Sequence, residues 1–285
     1  MQKLAVIIVS YNTRDILGDC LRNLTKVAPS ATSIVVVDNA STDGSAEFVR
    51  QQEFKTVCVV ETENNGLAAG YNLGMAQVKE TDTFLFLGSD AFPKPGCLEG
   101  VLHFLESHPK VGIATAKLIL RNGALDLDAH RGFPTPWTAL KHFVGINNSY
   151  FMTEANLNVP HEIDLCISHF MMVKKAVFDT VGAWDEDFFV YGEDVDLCWR
   201  AKQAGYQIYY LPQYECLHYK GASVGTRKET ADVTKASLVT RTRMKKETTQ
   251  AMRLFYQKHM YKKYPAWLNK LVDLGITIME RLRKS

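Results

Sequence analysis

Glu193, Asp194 and Asp196 crowd three carboxylates into four positions at the start of the segment GEDVDLCWRAKQAG, Gly192 to Gly205. A carboxylate beside a hydroxyl can remove its proton, and two adjacent carboxylates discourage joint ionisation, so one can tune the other. The same three acids also suit a plain helix N-terminus, where the dipole favours negative charge. Short polar side chains collect at two other places. Ser10, Tyr11 and Asn12 close one apolar run, and Asp38 and Asn39 close a second. Groups of that size at strand ends can hydrogen-bond a nucleobase and ribose, although Asp38 serves equally well as a turn or capping residue. Gly66, Gly70 and Gly74 recur every four residues in ENNGLAAGYNLG, which puts them on one helical face. Close helix packing is the plain explanation, and the spacing is not the G-x-G-x-x-G dinucleotide fingerprint.

The elements that must position these residues alternate. LAVIIVSYN (Leu4 to Asn12) reads as a central parallel strand, and Thr13 to Val27 has helical spacing at Ile16, Leu17, Leu21 and Leu24. SIVVVDNAST (Ser33 to Thr42) is a second strand. A helix over Ser41 to Gln52 follows, capped by Ser41 or Thr42 with Asp43 in its first turn. TVCVVET is a third strand, GLAAGYNLGMAQV a Gly-rich helix, and TFLFLGSDAF a fourth strand running into a turn. Such alternation predicts an α/β fold, a Rossmann-like and mostly parallel sheet flanked by helices, with ligands at the strand C-terminal ends. Beyond Pro109 the order changes. VGIATAKLIL is strand-like, Arg121 to Pro160 reads as an irregular loop or small subdomain, and EIDLCISHFMMVKK is a strand entering the short helix AVFDTVG. YQIYYLP, after the acidic segment, is a further strand. The stretch from Thr226 to Arg243 reads as the linker to a C-terminal tail.

Composition sets limits on the class. The 285 residues are 46% hydrophobic and 22% charged, ordinary globular values. No run reaches the ~18 apolar residues of a membrane span, and the first strand is too short and lacks the cleavage site of a signal peptide. Six scattered cysteines without a C-x-x-C pair argue against a zinc or disulfide scaffold and suit a reducing cytoplasm. The net charge of +2 conceals a division. Eleven Lys and Arg face three acids from Arg243 to Ser285, which leaves the remainder acidic. No basic nucleic-acid surface is expected on that body. The basic tail instead suits an anionic surface.

With GAWDEDFFVY upstream and His218 downstream, the acidic segment resembles the acceptor side of family 2 glycosyltransferases of GT-A fold, in particular the rhamnosyltransferase-like branch. The motifs that carry this resemblance run from Leu4 to Ser223. It implies a donor half over residues 1–108, an acceptor and catalytic half over 109–225, and a basic amphipathic tail over 226–285. It implies Asp194 as catalytic base with Glu193 positioning it. Asp38 would accept from the pyrimidine N–H. Ser10, Tyr11, Asn12, Asn39, Asn65, Gly66, Asn72, Ser89 and Asp90 would hold the rest of the nucleotide sugar. Trp184 would stack on the acceptor or lie in the core, with Asp185 and Glu186 orienting acceptor hydroxyls. The segment at Gly88-Ser89-Asp90 matches the family's D-x-D or N-x-D metal motif, except that Gly88 replaces the first ligand residue. A divalent ion, Mg²⁺ or Mn²⁺, would then rest on Asp90 and the late His218, with Lys220, Ser223 and Arg227 adding phosphate contacts. Ser168-His169-Phe170 stands where relatives have a Ser-Gly-Ala-like turn, and the bulkier loop is expected to reshape the acceptor pocket.

The implied reaction is inverting transfer from a pyrimidine nucleoside diphosphate sugar, dTDP-rhamnose or a UDP-sugar, to a hydroxyl on a saccharide or lipid-linked acceptor. A catalytically inactive sugar-nucleotide-binding protein is the alternative that Gly88 raises. A nucleotidyltransferase would show a Gly-rich, Arg- and Lys-bearing first loop, which SYNTRD does not supply. In the tail, Trp267, Leu271, Leu274, Ile278 and Leu282 form one helical stripe among basic residues, which predicts docking on the cytoplasmic membrane face, on the protein's own body or on a second copy in a homodimer.

Overall fold

The computed structural model describes residues 3–51, 57–146, 148–222 and 238–284. Most of the expected linker, with Ser223 and Arg227, lies outside them. Strands β1 (Leu4–Ser10), β2 (Ser33–Asn39), β3 (Val57–Thr62) and β4 (Thr83–Leu87) alternate with helices α1 (Arg14–Val27), α2 (Ser45–Gln51) and α3 (Leu67–Ala76). Then come β5 (Ala91–Pro93), α4 (Cys97–Ser107) and β6 (Val111–Leu120). The region read as irregular contains α5 (Pro136–Phe143) and α6 (Asn148–Phe151). The stretch predicted as a single strand before AVFDTVG divides into β7 (His161–Ile163) and β8 (Phe170–Lys174), separated by the Ser168-His169 loop. The chain continues as α7 (Lys175–Val181), α8 (Glu193–Gln203), β9 (Gln207–His218), α9 (Leu238–His259) and α10 (Ala266–Lys284).

One nine-stranded sheet runs β3-β2-β1-β4-β8-β6-β9-β5, with β7 on β9. The first four strands are parallel and form the expected doubly wound half. Antiparallel β8 then fits between β4 and β6, and β9 returns parallel to β6. The continuous apolar runs are explained by burial on both faces, since every residue of β4 is buried.

Two of the three periodic glycines are there for space. A Cβ on Gly70 would stand 2.9 Å from Val9 Cγ1, and one on Gly74 would stand 2.5 Å from Ile7 Cγ2, so α3 lies directly on β1. Gly66 adds conformation to space. Its φ of 100° and its closeness to the Phe189 carbonyl let that oxygen accept the Leu67 N–H at 2.6 Å. The parallel β1–β4 half is thereby tied to the loop before α8.

The cap of α2 differs from expectation. Asp43, rather than Ser41 or Thr42, accepts the Ser45 N–H at 3.0 Å, and α2 begins at Ser45. Ser41 and Thr42 are engaged with Asn12 instead: Ser41 Oγ accepts the Asn12 N–H at 2.9 Å, and Asn12 Oδ1 accepts the Thr42 N–H at 2.7 Å. The basic tail is also less separate than its charge implied. Phe255 and Tyr256 of α9, and Met260 just after it, are buried in the same cluster as Trp184, Val195 and Leu197.

Candidate active site

Strand ends place the donor-side residues. Ser10 pairs in register with Asp38, so the two loops that follow β1 and β2 lie side by side. Asn12 and Ala40 hold left-handed backbone, φ 54° and 62°, which the Asn12–Ser41–Thr42 hydrogen bonds stabilise. A cleft of about 590 Å³ opens here, lined among others by Asp38, Ser41, Arg50, Thr62 and Glu63. Asp38 is buried, and its Oδ1 accepts the Ser41 N–H at 2.7 Å. Asn39 donates to the Gly66 carbonyl at 3.0 Å, and Asn65 is exposed in the turn before α3. Ser89 is buried beside Asp90, and Tyr11 is partly exposed.

Several residues face elsewhere. Asn72 directs both amide atoms at the 184–186 segment: Nδ2 donates to the Trp184 carbonyl at 2.9 Å and to Glu186 at 2.7 Å, while Oδ1 accepts the Trp184 N–H. Trp184 is a core residue, buried against Tyr71, Phe86 and Phe178. Asp185 and Asp187 both accept from Lys258 of α9. Lys220 is committed to Asp126 and Asp128, which removes it from the phosphate role.

Two left-handed residues, Tyr191 (φ 66°) and Gly192 (φ 86°), turn the chain into α8. Glu193 and Asp194 then enter the interior at 2% and 7% exposure. Asp194 accepts the Val195 N–H at 2.8 Å and a backbone hydrogen bond from Ser168, and Ser168 Oγ donates to Glu193 Oε1 at 3.4 Å. Burial, reinforced by the Asp194 charge, pushes Glu193 up to about 8. Burial also raises Asp194, against the opposing pull of the Arg131 guanidinium. At neutral pH Glu193 therefore keeps its proton, while Arg131 opposes the rise at Asp194. Asp196 has a separate job. It is bound by Arg200 at 2.7 Å and by His259 of α9 at 2.6 Å.

Asp90, His169 and His218 converge, their candidate donor atoms all within 4.8 Å of one another. His218 Nδ1 is 2.8 Å from Asp126 Oδ2. Burial favours the neutral form of Asp126, but the His218 hydrogen bond and Lys220 outweigh it and hold the carboxyl well below its usual range. That fixed carboxylate accepts a hydrogen bond from the Nδ1–H and leaves the Nε2 lone pair towards Asp90, the arrangement of carboxylate-supported metal histidines. His218 Nε2 is buried and makes no hydrogen bond among the described residues. The residues thus fit a divalent ion at Asp90 and His218. Burial, aided by nearby His218, pushes His169 down to about 4, leaving a neutral ring.

His169, Asp126, Arg131 and Ser168 were not among the sequence-predicted site residues. The resemblance had flagged the 168–170 loop for the acceptor pocket. The structure makes it a bridge, with Ser168 on the acidic pair and His169 on Asp90.

Residues 5–182 match the sequence model described as Glycosyl transferase family 2. Over 225 residues the chain is 28% identical to rhamnosyltransferase WbbL of Escherichia coli K12, covering 75% of this chain and 82% of that one. It is 25% identical over 249 residues to the N-acetylglucosaminyl-diphospho-decaprenol L-rhamnosyltransferase of Mycobacterium tuberculosis, 78% of each chain. Among solved structures it is similar to the mannosyltransferase PcManGT from Pyrobaculum calidifontis in complex with GDP-Man and Mn²⁺ (TM-score 0.61, 19% identity), covering 90% of this chain and 64% of that one. It is also similar to S. aureus TarS 1-349 in complex with UDP-GlcNAc (TM-score 0.55, 17% identity), covering 90% and 73%.

Proposed function

The chain belongs to glycosyl transferase family 2, and from that premise we propose that it transfers a sugar, with inversion, from a pyrimidine nucleoside diphosphate sugar to an acceptor hydroxyl. The observation that carries this reading is the buried Glu193–Asp194 pair, in which burial raises both acids and the Arg131 guanidinium opposes that rise at Asp194. Asp194 takes the acceptor proton as the oxygen attacks the anomeric carbon opposite the departing diphosphate. Glu193 keeps a second negative charge away from the base at neutral pH. Asp38, beside the donor cleft, is assigned to the pyrimidine N–H, with dTDP-rhamnose or a UDP-sugar as donor. A divalent ion on Asp90 and His218 would neutralise the leaving diphosphate.

The acceptor is read as lipid-linked. Two apolar helix faces are exposed: Trp137 and Leu140 on α5 with Val144 at its C-cap, and Trp267, Leu271, Leu274, Ile278 and Leu282 on α10. The α10 stripe is 46% to 67% exposed, and Lys270 and Arg281 accompany it. No helix among the described residues is long and apolar enough to cross a membrane, so the reading is surface docking against anionic lipid. The mycobacterial relative's name specifies a decaprenyl-linked acceptor, which supports the same class here.

The deciding experiment measures nucleoside diphosphate release across a donor panel, with a polyprenyl diphosphate sugar as acceptor, before and after chelation. Turnover with a dTDP- or UDP-sugar that chelation stops and Mn²⁺ restores is expected. Release from GDP-sugars alone would overturn the donor assignment, and full activity after chelation would overturn the metal.

A further inference from the structure

We propose that His169 is a ligand of the divalent ion, replacing the missing donor at position 88, and that Gly88 is glycine in order to admit it. The inference rests on the metal reading at Asp90 and His218 and adds a residue and a selectivity to it. The β4–β8 pairing ends at Leu87 opposite Phe170 and is extended by the Gly88 N–H, which donates to the His169 carbonyl at 3.1 Å. That register sets His169 beside residue 88. Its Nε2 lies 3.9 Å from Asp90 Oδ1, the same separation that His218 Nε2 keeps from that oxygen. Donors on one ion, each at about 2.0–2.2 Å, stand no more than about 4.4 Å apart, so both separations fall within reach of a shared cation. The two imidazole rings are 4.5 Å apart between centroids and tilted by 42°.

Gly88 shows none of the backbone strain that calls for glycine, since its φ is not left-handed. What it supplies is room. A Cβ there would lie 2.7 Å from His169 Cδ2 and 2.9 Å from Asp90 Oδ1. A Cβ at 88 would therefore displace the ring of His169 from its present place. Losing the first residue of the metal motif and gaining the histidine are two halves of one change.

The resulting donor set is two imidazole nitrogens and one carboxylate. Magnesium prefers oxygen ligands and keeps its water, whereas imidazole suits first-row transition ions. The site is accordingly one for a first-row transition ion, Mn²⁺ among them, and it discriminates against Mg²⁺.

The test uses the full chain and binding rather than turnover. Mn²⁺ affinity is measured by titration calorimetry in excess Mg²⁺, and pulsed EPR of bound Mn²⁺ counts coordinated histidine nitrogens. Two histidine couplings are expected in the unaltered chain and one in His169→Ala and His169→Gln, with Mn²⁺ bound at least about tenfold more weakly. Gly88→Ala should show the same loss, and adding it to His169→Ala should cost nothing more. Two couplings in the unaltered chain need no variant to fold. If Asp90→Ala abolishes binding while His169→Ala keeps full affinity and two nitrogen couplings, the role of His169 is overturned and the site stands. If Asp90→Ala binds Mn²⁺ unchanged, the metal reading itself fails.

Discussion

The acidic pair shows how one buried environment acts unequally on two neighbouring carboxyl groups. Glu193 is raised from 4.5 to about 8, so the folded chain retains a proton that the unfolded chain releases near 4.5. The contribution to stability is therefore full below about 4.5 and is lost as the pH climbs through about 8. We expect Glu193→Gln to flatten the fall in melting temperature over that interval while keeping the fold. An unchanged slope would mean that Glu193 is not the proton holder. Asp194→Asn should leave the melting temperature and donor binding near normal and reduce turnover by about 100- to 10,000-fold. Near-normal release of nucleoside diphosphate by that folded variant would remove Asp194 from the chemistry. The motif string pointed to both residues, but their protonation depends on Ser168 and Arg131, which come from distant segments.

At the scale of elements, identical glycine substitutions should have opposite signs. Gly74 of α3 lies against Ile7, and a Cβ there overpacks the contact, so Gly74→Ala should destabilise by about 1–3 kcal/mol. Gly275 of α10 has open space around its Cβ position and is exposed, so Gly275→Ala should stabilise by about 1 kcal/mol. Urea unfolding of both variants tests the pair, and equal signs would contradict the packing of α3 on β1. Helix α8 carries a second device. Asp196, 1% exposed, joins α8 to α9 through His259. His259→Ala leaves a buried carboxylate short of one donor and should cost about 1–3 kcal/mol, with little change in donor affinity.

For the whole molecule, the question is where the catalytic body ends. Charge alone divides the chain near Arg243, but Phe255, Tyr256 and Met260 sit in the core and Lys258 holds the 185–187 loop. A chain ending near Thr242 should therefore fail to fold stably. A chain ending at Pro265 loses only α10, and it should keep its cooperative melt and its turnover of a soluble acceptor while no longer sedimenting with anionic liposomes. Liposome binding by the full chain should weaken with salt, because the basic residues act within a Debye length of about 8–10 Å. If both forms stay in the supernatant at low salt, the α10 stripe is a contact between protein copies instead.

Local chemistry made much of this protein legible in its sequence. The apolar runs Leu4 to Asn12 and Ser33 to Thr42, the helical glycine spacing, the acidic segment and the α10 stripe each depend on neighbours a few residues apart, so periodicity and side-chain type suffice to find them. The antiparallel entry of β8, the core position of Trp184 and the commitment of Asn72 to the 184–186 segment could not be read that way. Each is decided by partners roughly a hundred residues distant in the chain. The cap of α2 was missed for a nearer reason: Ser41 and Thr42 were drawn into pairing with Asn12, which left Asp43 to begin the helix. His169 is the clearest division between the two. The sequence marks it as a departure, but only the pairing of β4 with β8 sets its ring over Gly88 and against Asp90. A donor set belongs to the folded sheet, because the atoms that compose it come from strands that meet only in three dimensions.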